Sequence, residues 1–149
     1  MKDSKDFAEK EISRRALLCG FGAIAAAAAG FSLDSASAAV GVTKVAGGKF
    51  SVDLTANKVL AKVGGAVLFT AKDGSPAALV RTAAGSKGLT AISLVCTHMG
   101  VTVAESQGKW ICPAHGSLYA LNGAVLGGPA STPLKKYPVT VTASKAIIG

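Results

Sequence analysis

The sequence predicts an all-β protein, a small antiparallel sandwich or barrel, on three observations. Half of its 149 residues are apolar, yet only 5% are aromatic. From about residue 49 the apolar residues come in short runs rich in small and β-branched side chains. Gly, Pro, Asp and Asn separate those runs. A chain of this length can bury a modest core in one domain, and no second domain is needed.

The first 38 residues read as an address rather than as part of that domain. Ser13-Arg14-Arg15-Ala16-Leu17-Leu18 leads into Cys19 to Phe31, a run of Ala, Gly, Ile and Phe, and then into Ser35-Ala36-Ser37-Ala38. A charged region, an apolar region and an A-x-A site form a secretory signal, with cleavage expected after Ala38. The paired arginines resemble the twin-arginine class, which exports folded proteins and implies the periplasm or the outer face of the cytoplasmic membrane. A retained anchor is the alternative, because Ala16 to Leu33 is an uncharged stretch of 18 residues, at the lower edge of what spans a bilayer. Cys19 opens the apolar region instead of closing it and follows the large Leu18, which argues against a lipid there. Residues 39–48 are rich in small residues, Ala and Gly among them, and are expected to form a flexible linker to a domain at 49–149.

The formal charge of +8 belongs to that domain. Residues 1–38 hold five bases and five acids, whereas eleven Lys and Arg beyond them face only Asp53, Asp73 and Glu105. A basic domain favours acidic partners or anionic lipid. Nucleic acid is not an expected partner, because the lysines are scattered and the aromatics form no stacking row.

Taken in order, Phe50, Val52 and Leu54 alternate with Ser51 and Asp53, the period of a strand with one buried face. Ala66 to Ala71 is a second run, and Lys72-Asp73-Gly74-Ser75-Pro76 turns it back into a third, Ala77 to Thr82. Leu89 to Val95 ends directly at Cys96. Val101 to Ala104 reads as a short strand, Ser106-Gln107-Gly108 as a turn, and Lys109-Trp110-Ile111 as a strand running into Cys112. Two antiparallel runs thus deliver two loops to the same end. Leu118 to Leu121, the Asn122-Gly123 turn and Ala124 to Leu126 follow. After Gly127-Gly128-Pro129, Val139 to Thr142 and Ala146 to Ile148 close the chain as a hairpin about Ser144 and Lys145. The sequence shows no internal repeat, phosphate-binding loop or serine-nucleophile elbow.

Beyond residue 38 there are two Cys and two His, and all four fall between Cys96 and His115, as C-x-H, thirteen intervening residues, and C-x-x-H. Thiolate and imidazole suit zinc and iron-sulfur sites. Each half supplies one of each, so a two-iron cluster can take both thiolates on one iron and both imidazoles on the other. Neutral imidazoles donate less charge than thiolates, which raises the potential above that of an all-Cys cluster. A structural zinc module that moves no electrons is the alternative of another class.

Cys96-Thr97-His98-Met99-Gly100 and Cys112-Pro113-Ala114-His115-Gly116-Ser117 resemble the two cluster-binding boxes of the Rieske family. Gly128-Pro129-Ala130, followed by Pro133-Leu134, resembles its proline loop, and the similarity spans about residues 49–149. The resemblance implies a Rieske-type sandwich or barrel with a cluster-binding subdomain of two loops plus a proline loop, carrying one [2Fe-2S] cluster. It further implies that Cys96 and Cys112 bind the buried iron and that His98 and His115 bind the outer one. Met99 would stand at the docking tip, with Gly128 and Pro129 covering the cluster. Ser117 would donate to a bridging sulfide and Tyr119 to the sulfur of Cys96, both raising the potential. High-potential members usually carry one more Cys in each box, joined as a disulfide, where this chain has Val101 and Ala114. Loop rigidity is then expected from the cluster, the proline loop and packing, and stability from cluster occupancy.

The function so implied is one-electron transfer, as the iron-sulfur subunit of a quinol-to-cytochrome c oxidoreductase. Such a subunit is not a catalyst by itself. Its partners would be a c-type cytochrome and a cytochrome b or other larger subunit, with quinol at an exposed His. A soluble periplasmic carrier, or the small electron-transfer subunit of another oxidoreductase such as a molybdenum enzyme, is the alternative.

Overall fold

The computed structural model describes residues 36–38 and 40–149, so the arginine pair and the apolar run of the signal-like segment lie outside the described residues. The described residues form thirteen strands: β1 (Ala36–Ala38), β2 (Val42–Val45), β3 (Lys49–Asp53), β4 (Ala66–Thr70), β5 (Pro76–Arg81), β6 (Leu89–Ser93), β7 (Ala104–Ser106), β8 (Lys109–Ile111), β9 (Leu118–Ala120), β10 (Val125–Gly127), β11 (Lys136–Tyr137), β12 (Val139–Thr142) and β13 (Lys145–Ile148). They build a central sheet β1-β4-β5-β6-β11 and two outer sheets, β12-β13-β3-β2 and β10-β9-β8-β7. Only β1 runs parallel to its neighbour, β4; the other pairs are antiparallel. The all-β expectation holds.

β5 shows why the molecule has three layers. Its Pro-Ala-Ala-Leu-Val-Arg is apolar on consecutive residues, and four of the six are fully buried. Ala77 and Leu79 pack with Phe50, Val52, Ala146 and Ile148 of one outer sheet. Ala78 and Val80 share a second core with Trp110 and Tyr119 of the other. β4 and β6 divide the same way, Val67, Phe69 and Ala91 to the first core and Ala66 and Ile92 to the second. Apolar residues in both phases of a two-residue period mark a sheet covered on both faces.

Several boundaries differ from the expected ones, each for a local reason. The stretch 39–48, expected as a flexible linker, contains β2, which pairs with β3 from Val42↔Val52 to Val45↔Lys49. Asn57 Nδ2 fastens its start by donating to Val40 O at 2.6 Å and to Asp53 O at 2.7 Å. Val42, Thr43 and Val45 are β-branched and favour a strand, a preference that the surrounding small residues hide. The A-x-A site Ala36-Ser37-Ala38 is β1 and closes the edge of the central sheet against Ala66, Val67 and Leu68. β6 stops two residues short of Val95: the Leu94 N–H still reaches Pro76 O in register, but Pro76 has no N–H to return, and Ser93 Oγ takes the Val95 N–H at 3.2 Å. The strand expected at Val101 to Ala104 reduces to a bridge, Val95↔Thr102, before β7 begins at Ala104. The closing hairpin forms, Val139↔Ile148 to Thr142↔Lys145, with its turn at Ala143 and Ser144 where Ser144 and Lys145 were expected. Between β11 and β12 the chain changes sheets at Pro138, a residue with no N–H to give to either ladder. Among the described residues no helix is long and apolar enough to cross a membrane.

Candidate functional site

Two loops grow from strand ends, the first from β6 through Val95 into Cys96, the second from β8 into Cys112. They close identically. Cys96 N–H donates to Val101 O and Gly100 N–H returns to Cys96 O, both at 2.8 Å. Cys112 N–H donates to Ser117 O at 2.8 Å and Gly116 N–H returns to Cys112 O at 2.9 Å. Gly100 and Gly116 reverse the chain at φ 72° and 70°, a region where an L side chain is strained. The two boxes are therefore one turn used twice, with His at the third position of the first and at the fourth of the second.

This turn sends the two residue types to opposite sides. Cys96 and Cys112 are 2% and 0% exposed, whereas His98 and His115 are exposed. The two imidazoles meet edge to face, with centroids 4.8 Å apart and planes at 86°. Met99, next to His98 in the chain, is 64% exposed. Among the described residues no three His, Cys, Asp or Glu side chains converge on one point as a single ion requires. The four donors form a buried thiol pair and an exposed imidazole pair. That division fits two metals with unlike donors.

A third loop, from Gly128 to Leu134, lies against both. Gly128 has φ 89°, and a Cβ there would stand 2.6 Å from Ser117 Cα and 2.8 Å from Gly116 O, so only glycine permits the approach. Ala130 N–H donates to Ser117 Oγ at 3.3 Å, and Thr97 Oγ1 donates to Thr132 O at 2.7 Å. One hydroxyl from each Cys-His loop is thus pinned to the third loop's backbone. Among the described residues Cys96 and Cys112 are the free cysteines, and no disulfide joins the boxes. Two neutral hydrogen bonds contribute about 1 kcal/mol each, against about 2–4 kcal/mol for a disulfide. Together the two bonds reach only the lower end of that range.

Tyr119, fully buried on β9 opposite Trp110 of β8, places its hydroxyl 3.2 Å from Cys96 Sγ. The same oxygen accepts the Thr97 N–H at 3.2 Å and lies 3.1 Å from Thr97 Oγ1. Thr97 has committed its own proton to Thr132 O, so the phenol proton has two acceptors. A separation of 3.1 Å is long between two hydroxyls, whereas the larger sulfur atom is in good contact at 3.2 Å, so the phenol donates to sulfur. Burial opposes ionisation of Cys96. Donation from the Tyr119 hydroxyl, the His98 N–H, the Cys112 thiol and the Ser117 hydroxyl outweighs it and brings the thiol from 9.0 to about 7. Tyr119 shifts upward, through burial first and then its bond to Cys96. A Cys96 already inclined to ionise is a prepared metal ligand.

The structure thus brings together Cys96, His98, Cys112, His115, Ser117, Tyr119 and Gly128; Pro129 follows on the third loop, exposed to solvent. Thr97 is a site residue that the sequence reading does not single out. Its signal is faint, a hydroxyl beside a ligand-type Cys. Thr132 contributes a carbonyl, which every residue has, so no side chain announces it.

Residues 52–138, more than half of the chain, match the Rieske [2Fe-2S] domain family. The cytochrome b6-f complex iron-sulfur subunit of Chlorobaculum thiosulfatiphilum is 40% identical over 62 residues, covering 40% of this chain and 34% of that subunit. The corresponding subunit of Synechococcus elongatus is 37% identical over 100 residues, 64% of this chain and 56% of its own length. The chain therefore spans about a third to somewhat over half of these relatives. Among solved structures, the cyanobacterial plasma membrane Rieske protein from Synechocystis PCC 6803 is similar with 30% identity and a TM-score of 0.51, covering 57% of this chain and 86% of that one. A chain of a hyperthermophilic respiratory Complex III gives 25% identity and a TM-score of 0.53, covering 64% and 71%.

Proposed function

The chain belongs to the Rieske [2Fe-2S] domain family, whose cluster it carries, and from that premise we propose that Cys96 and Cys112 hold one iron and His98 and His115 the other. We propose further that it works as the iron-sulfur subunit of a quinol-to-cytochrome c type oxidoreductase. The observation that carries the reading is the separation of the donors, two buried thiols against two exposed imidazoles in edge-to-face contact. When bound, the cluster supplies a one-electron couple raised in potential by its nitrogen donors.

The chain's own residues do the rest. Tyr119 directs a proton at Cys96. Ser117 Oγ accepts the Ala130 N–H, which leaves its own proton to donate inward. Both favour the negative charge added on reduction. The exposed His98 and His115 are where a quinol can approach, and with the cluster held there a free ring nitrogen would accept its proton. Exposed Met99 offers an apolar contact beside them. The excess of lysines beyond residue 38 suits an acidic face on a c-type cytochrome or on the cytochrome b subunit. Arg14-Arg15 and the apolar run support export through the twin-arginine route to the periplasmic side of the membrane. Cleavage after Ala38 would also release β1 from the edge of β4; retention would keep that strand in place and tether the domain to the membrane.

A redox titration followed by EPR across a range of pH tests this. The expected result is a rhombic signal on reduction and a potential that falls in alkali, as a bound imidazole gives up its proton. Replacing His98 or Cys112 with Ala should abolish the signal, and a coloured His98→Ala protein would refute the ligand set. A potential independent of pH would remove the quinol chemistry while leaving electron transfer intact. Cell fractionation with N-terminal sequencing decides the address, since soluble protein beginning at residue 39 excludes the anchored form.

A further inference from the structure

On the face of the central sheet that packs the first core, away from the two Cys-His loops, the sandwich is open at one end. A cavity of about 500 Å³ there has Phe50, Phe69 and Ile148 among its walls, with Lys49, Lys72 and Lys135 also lining it. The three apolar residues are buried and the three lysines exposed, so the cavity has an apolar floor and a mouth where three lysines outnumber one acidic side chain, Asp73. Phe50 and Phe69 set their rings 5.6 Å apart at 46°, giving the floor two tilted aromatic faces.

The charges at the mouth are not balanced. Lys135 pairs with Asp73 at 3.7 Å, the one salt bridge among the described residues, and among those residues no carboxylate lies within 4 Å of the Lys49 or Lys72 ammonium. Lys72 also runs along the backbone at Gly48. Its stem passes Gly48 so closely that a Cβ there would meet Lys72 Cδ and Cε at 2.9 Å and Nζ at 3.2 Å. A pocket of this size suits a small ligand, and apolar walls with a few placed polar groups are the usual composition of such sites. Unpaired cations over an apolar floor select for a negative head on an apolar body.

We propose that this cavity binds an anionic amphiphile, its slim tail against Phe50, Phe69 and Ile148 and its acidic head between Lys49 and Lys72. No lining residue belongs to the Cys-His loops or to the loop that covers them. The site is therefore separate from the electron-transfer site, and the cluster can be monitored while the cavity is filled.

Calorimetric titration of the full chain with its cluster tests the proposal, with octyl phosphate below its micelle concentration, octanol and inorganic phosphate as probes. Octyl phosphate should bind about tenfold more tightly than octanol, the worth of one or two exposed ion pairs beyond the tail, and more tightly still than inorganic phosphate, which has no tail to bury. The double variant Lys49→Gln with Lys72→Gln should lower that affinity about tenfold, toward that of octanol. Both lysines are exposed, so the variant should fold, and an unchanged reduction potential checks that it does. Equal affinity for octanol would reduce the cavity to an apolar crevice, and equal affinity for inorganic phosphate would reduce it to scattered surface charge. Either result overturns the proposal, as does the absence of binding to all three probes.

Discussion

Tyr119 and Ser117 illustrate what single residues contribute and how that can be measured. Each is fully buried, each has a polar atom within reach of the Cys-His loops or their cover, and no buried side-chain polar atom among the described residues lacks a partner. Tyr119→Phe and Ser117→Ala should leave the cluster bound, because neither removes a ligand. Each should lower the reduction potential. A hydrogen bond to a charged group contributes about 1.5 kcal/mol or more, which for a one-electron couple is about 60 mV. The EPR titration reads the shift, and an unchanged potential in both variants would refute the donor assignment. At this scale the sequence was most legible, since ligand chemistry depends on residue type and close spacing. Thr97 escaped because its importance lies in partners 22 and 35 residues away, Tyr119 and Thr132.

The loops and strands that carry these residues were legible in part. The hydrophobic period of two located most strands, and the two boxes located both loops. What the pattern did not specify was the contact between elements. Gly128 is the clearest case, because its conformation and its lack of a side chain both serve an approach to Ser117 and Gly116. Gly128→Ala should therefore destabilise the third loop by more than the strain of a positive φ, itself about 1–3 kcal/mol. Gly74→Ala is the control. Gly74 has φ 81° but nothing within 4 Å of a would-be Cβ, so it suffers the strain without the collision. Thermal melts of the two variants, with cluster absorbance followed through the transition, should show Gly128→Ala melting lower and losing colour sooner. Equal melting would show that the third loop does not hold the first two. β2 makes the same point from the other side: residues 39–48 looked like a linker by composition, and pairing with β3 made part of them a strand.

For the molecule as a whole, the central sheet separates two cores, and that separation predicts separable effects. Leu79 belongs to the first core and Ile92 to the second, on adjacent strands, and both are fully buried. Truncating either to Ala should destabilise the fold by about 2–5 kcal/mol. Only Ile92→Ala loosens the core that also contains Cys96, Cys112 and Tyr119. That variant alone should also change the reduction potential or hasten cluster loss, whereas Leu79→Ala should lower the melting temperature at constant potential. Equal redox changes from both would mean that the layers are not energetically distinct. The sequence by itself determined the β class and the family to which the two Cys-His boxes point, because these follow from side-chain chemistry within a few residues of each other. Only the tertiary structure decided the three-layer stacking, the hydroxyl splint across the loops and the apolar cavity with its lysines. Each depends on backbone groups or side chains brought together from distant parts of the chain, and a carbonyl or an N–H looks the same in every residue until folding gives it a partner.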